Sequence, residues 1–200
     1  MKRLLPLFSI LLGGVLAAGC DSIAGALGVD EVEVPLTSAG TMSVNGDQLT
    51  STSGSTTRSG GKLPNVFDLE SVVVAKEDVT YTPSSSKNGS AASGHIYGTV
   101  FINDKPLGTF DVTIANDAVS NVTITPFQVT PFIVAACGGA PSQCPAASAY
   151  QGKSVAQIKG ELETILRTAE TLGYRIVVKG DTAALKGSLR VNKVTLNLDF

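Results

Sequence analysis

The chain of 200 residues has no tryptophan, one histidine, three cysteines and only 16% charged side chains. Each scarcity weighs against a class of function. Carbohydrate and single-stranded nucleic-acid sites usually stack rings on aromatic side chains, so an aromatic content of 6% disfavours both. A nucleic-acid partner also needs a clustered basic surface, and the net charge here is −2. With one histidine, every Ser-His-Asp or Cys-His mechanism would have to run through His95. His95 follows Ser93-Gly94 at a border between loop and strand and reads as a surface residue. No G-x-S-x-G elbow, P-loop or dinucleotide glycine motif occurs. Asp104, Asp111, Asp117 and Asp181 could pair as glycosidase carboxylates or hold calcium, but most stand at turns, where Asp bonds its own backbone. No EF-hand or repeat spacing accompanies them. No cofactor is expected.

The one long apolar run is Leu4 to Leu16, too short to span a bilayer, which takes about 20 residues. Lys2 and Arg3 precede it, and the small residues Ala17-Ala18-Gly19 and then Cys20 follow it. This arrangement resembles the lipobox of bacterial lipoproteins, with Ala17 where leucine is usual. The resemblance implies that residues 1–19 are a signal peptide and that Cys20 becomes the lipidated amino terminus, anchoring the protein to a membrane of the cell envelope. The alternative is an ordinary secretory peptide cut near Gly19. Asp21 resembles the signal that retains some lipoproteins in the inner membrane, and the leaflet stays open. Loss of Lys2 and Arg3 with the leader would take the net charge from −2 to −4.

Beyond Cys20 only Cys137 and Cys144 remain, an even pair in a compartment that permits disulfides. Their C-x6-C spacing lacks the C-x-x-C form of redox motifs, and His95 is distant in sequence, so a structural disulfide is expected over a redox or metal site. Closing so short a loop stabilises by roughly 2 to 3 kcal/mol in the chain-entropy model.

Residues 20–62 form a lipid-anchored N-terminal segment. Of the 25 residues from Thr37 to Gly61, 17 are Ser, Thr or Gly, a composition that buries too little to offset its ordering entropy and predicts a partly flexible stretch. Met42 and Val44 could add an edge strand, which would leave a long loop from Leu49 to Lys62. Residues 63–200 form a β-rich domain. Val72–Val74 and Val79–Tyr81 predict two strands or one bent strand. Residues 95–125 predict a three-stranded meander, with turns at Asn103-Asp104-Lys105-Pro106 and Asn116-Asp117 and one buried face. Pro126 and Pro131 argue against a central strand at Phe127 to Val134.

From Ser154 to Leu172 the period becomes helical: Val155, Ile158, Leu162, Ile165, Leu166, Ala169 and Leu172 make one apolar stripe. Ser154-x-x-Gln157 predicts a capping box, Gly173 a stop, and Gly160 a point of close packing. Alternation then returns, shifting phase at Asn192-Lys193 as a bulge would.

The fold class is thus mainly β: an antiparallel β-sandwich (immunoglobulin-like) or half-barrel of about seven to nine strands, with one amphipathic helix near 154–172 closing a side. The ending, helix then Tyr174-Arg-Ile-Val-Val-Lys-Gly180 then a long last strand, resembles immunoglobulin-like sandwich lipoproteins of bacterial envelopes. The terminal Phe200 is also seen in outer-membrane barrels, but the helix and short strands do not suit one. The reading that follows is a non-catalytic, lipid-anchored envelope lipoprotein acting as a binding or assembly module, with an envelope protein or an apolar ligand as candidate partner. The alternative is a carrier of a lipid or small apolar ligand; an enzyme comes third.

Overall fold

A computed structural model of the protein describes residues 31–37, 41–57, 67–84, 91–128, 150, 152–169 and 171–199. Cys20, Cys137 and Cys144 lie outside the described residues, as do the leader and the stretch after Pro131. Eleven strands and one α-helix are described, all paired strands running antiparallel. Among the described residues no helix is long and apolar enough to cross a membrane.

The meander is built as its turns dictate. Strands β6 (Gly94–Ile102), β7 (Lys105–Ala115) and β8 (Ala118–Pro126) are joined by two-residue turns. In both turns, Asn103-Asp104 and Asn116-Asp117, each residue has positive φ, between 46° and 67°. Asn and Asp tolerate that region, and such turns match the strands' twist. Strand β9 (Thr171–Gly180) pairs with β6, and β3 (Thr50–Thr57) pairs with β9, giving a five-stranded sheet in the order β3-β9-β6-β7-β8.

Two three-stranded sheets complete the framework. In one, β10 (Lys186–Val191) lies between β2 (Thr41–Asn45) and β5 (Val79–Pro83). In the other, β11 (Lys193–Asp199) lies between β1 (Glu31–Thr37) and β4 (Asp68–Val73). The phase shift at Asn192-Lys193 is therefore not a bulge. Asn192 separates β10 from β11 as the chain leaves one sheet for another, and its N–H donates to Asp78 O at 2.7 Å. A bulge would keep the same partners on either side; here they change from β2 and β5 to β1 and β4.

The Ser/Thr/Gly-rich segment departs from expectation as well. Met42 and Val44 do add an edge strand, 1% and 2% exposed, but β3 occupies much of what composition predicts as a loop. Its backbone takes its hydrogen bonds from β9, from Thr50↔Val178 to Thr57↔Thr171, so it needs no large side chains of its own. With β1 and β3 counted, the strands exceed the seven to nine expected.

Helix α1 spans Val155–Thr168. Its capping box is formed: Ser154 Oγ accepts from Gln157 N, and Ser154 N donates to Gln157 Oε1 at 2.8 Å. The helix ends well before Gly173, because Leu172 belongs to the strand alternation Leu172, Ile176, Val178 and is buried on β9. Gly173 instead exchanges hydrogen bonds with Asn103. Of the stripe, Ile158, Leu162 and Leu166 are buried, whereas Val155 is exposed. Gly160 marks no close packing: a β-carbon there would meet nothing within 4 Å.

One hydrophobic core joins all three sheets and the helix. Leu69 and Leu196, Met42 and Leu189, Ile96 and Ile176, and Leu162 belong to the same cluster. The meander does not have a single buried face, however. Thr99, Phe101 and Thr109 are buried on the side away from that alternation, where Thr99 is flanked by Val177 and Thr109 across the register. β6 is an interior strand, so at Thr99 the outward side chain is flanked from both neighbouring strands, while His95 and Tyr97 at the start of β6 stay partly exposed.

Candidate functional site

The chemistry-bearing residues converge on the outward face of the five-stranded sheet. His95 and Tyr97 alternate outward along β6, and the register sets Tyr97 opposite Asp111 of β7. His95 Nδ1 lies 2.8 Å from Asp111 Oδ1, and the His95 and Tyr97 rings stack at 5.8 Å with an interplanar angle of 8°. Asp181, at the end of β9, closes the corner: its Oδ1 accepts from His95 N at 3.0 Å, and its own N–H donates to His95 O at 2.9 Å. Gly94 makes this approach possible, since a β-carbon there would stand 2.5 Å from Asp181 Oδ1.

Burial, and then the carboxylates of Asp111 and Asp181, raise the Tyr97 phenol above its ordinary value, so it stays a neutral donor at physiological pH. The His95 and Asp111 side chains are 40% and 38% exposed. A carboxylate that orients an imidazole is two thirds of a nucleophile triad. Around it stand a second acid, Asp181, and a phenol, Tyr97, on a flank of the sheet open to solvent.

The four aspartates singled out from the sequence do not assemble. Asp111 and Asp181 both approach the His95–Tyr97 pair. Asp104 stays at its turn, 3.8 Å from Arg175, and Asp117 Oδ1 caps Ala92 N at 2.9 Å. Among the described residues, no group of three or more His, Cys, Asp or Glu side chains is placed to hold a metal. His95 sits at the border of loop and strand, as its sequence context predicts, but its partners come from 16 and 86 residues away.

A second feature lies on a different sheet. A groove of about 530 Å³ opens over β2, β10 and β5, lined among others by Ser43, Asn45, Thr82, Lys186 and Ser188. Most of its lining side chains are polar, with Val44 and Pro83 beside them, and none of those described comes from α1, unlike the apolar pocket beneath the helix that a lipid carrier would need. No sequence signal marks it, because its residues come from three strands, and β10 lies more than a hundred positions from the other two.

Comparison with known proteins returns no match: no family model fits the chain, and neither a curated protein nor a solved structure matches it.

Proposed function

We propose that the chain is a non-catalytic, lipid-anchored protein of the bacterial cell envelope, tethered through Cys20, whose folded body serves as a binding or assembly module. The observation that favours a module over a carrier is the use of the helix. Ile158, Leu162 and Leu166, between 0% and 3% exposed, are spent on the common core, and a lid over an apolar ligand would hold such side chains in reserve. The same core supports an antiparallel sandwich as the finer architecture, with the two three-stranded sheets contributing to one interior with the five-stranded sheet.

The anchor rests on Lys2-Arg3, the apolar run and Ala17-Ala18-Gly19-Cys20. Metabolic labelling with a fatty-acid probe should mark the wild type and not Cys20→Ser; a labelled variant, or an unlabelled wild type, ends this reading. Adding lipid should leave the melting temperature of the wild type unchanged, whereas a carrier would be stabilised.

A further inference from the structure

The sheet β2-β10-β5 turns Met42, Leu189 and Tyr81 inward in one register row, so the neighbouring row on its other face is Ser43, Ser188 and Thr82. One step along, Thr41, Arg190 and Thr80 form the next outward row, and on the far side Lys186 stands opposite Asn45. None of these eight outward positions is a carboxylate, in a chain that carries more acids than bases. Lys186 and Arg190 make no ion pair among the described residues. They stand four residues apart on one face of one strand, roughly 13 Å at about 3.3 Å per residue.

We propose that this face is a binding site for an acidic polysaccharide, a hydroxyl-rich chain bearing repeated anionic groups. Lys186 and Arg190 pair with successive acidic groups, and the Ser43–Ser188–Thr82 row bonds the hydroxyls between them. Serine and threonine hydroxyls both donate and accept, so they match a ligand whose hydroxyls do the same, and an apolar ligand would leave them unsatisfied. The groove of about 530 Å³ over this row gives a polymer a place to lie. Among the described residues its lining contains no aromatic ring, so recognition here uses charge and hydrogen bonds in place of ring stacking, and binding weakens as salt rises. The inference names the ligand of the module proposed above, and its readout does not depend on lipid attachment at Cys20.

The test uses the full chain in detergent, isotopically labelled, with three probes: a polyuronate oligosaccharide, a neutral dextran oligosaccharide and polyglutamate. The polyuronate should shift the backbone amide signals of Ser43, Thr82 and Ser188 in a salt-dependent way. Dextran lacks the acid and polyglutamate lacks the hydroxyls, so each should bind at least about tenfold more weakly. Lys186→Gln and Arg190→Gln should each weaken polyuronate binding by about tenfold, with the fold retained because both side chains are exposed. Equal binding of dextran or polyglutamate, absence of shifts at these amides, or unchanged binding in both variants would overturn the proposal. Should either variant fail to fold, the probe ranking on the wild type still decides.

Discussion

Two glycines, alike in sequence, carry opposite consequences at the scale of single residues. Gly98 lies under the Phe110 ring, and a β-carbon there would come within 2.1 Å of it. Gly160 is exposed and has open space around it. Gly98→Ala should therefore destabilise the protein by about 1 to 3 kcal/mol through overpacking. Gly160→Ala should stabilise it by about 0.5 to 1 kcal/mol through helix propensity. Denaturant unfolding of the two variants measures both signs. Charge placement gives a third test. Hydrogen bonds from Lys153 and then Lys105 hold the Glu161 carboxyl below the usual carboxylate range. Its folded value is thus lower than its unfolded one, so the stabilisation is complete above the unfolded value and is lost as pH falls through the folded value. The group is 31% exposed, which limits the gain to under about 1 kcal/mol. In Glu161→Gln the acid-side fall in stability should be shallower, as thermal melts across pH 2 to about 6 would show.

The helix carries the prediction that belongs to whole elements. Leu162 is fully buried within the core cluster, and its truncation to Ala should cost about 2 to 5 kcal/mol. Glu163 sits off the apolar stripe, which by pattern alone makes it a dispensable surface acid. In the fold its Oε1 accepts the N–H of Leu69 at 3.0 Å, fastening α1 to the start of β4. Glu163→Ala would strand a buried backbone donor, so a loss of about 1 to 3 kcal/mol is expected, where a surface acid would lose less than about 0.5. A cost near zero at Leu162 would show that the stripe is not packed. The helix start was legible because a capping box is a local event between Ser154 and Gln157. Its end was not, because Leu172 fits both the helical stripe and the strand alternation that runs on to Ile176 and Val178, and the pairing of β9 with β3 and β6 decided between them.

For the whole molecule, the loop between Cys137 and Cys144 is expected to be closed by a structural disulfide, which non-reducing mass spectrometry would detect as the loss of two hydrogens. Two free thiols would refute it. Replacing both cysteines by serine should cost about 2 to 3 kcal/mol and leave ligand binding unchanged.

Period-two alternation and the Asn-Asp turns already determined a mainly β chain, a meander over β6 to β8 and one capped amphipathic helix, because each depends on residues a few positions apart. Tertiary structure decided which sheet each strand joins. It recruited the Ser/Thr-rich β3 through backbone bonds that side chains do not announce, and it split β10 from β11 at Asn192 between two sets of partners. It also completed both sites. Asp181 reaches His95, and Ser188 lines up with Ser43 on one side and Thr82 on the other, only because strands far apart in sequence lie in register; Asp111 comes from the neighbouring strand of the same hairpin, but composition does not record the pairing that adds the rest.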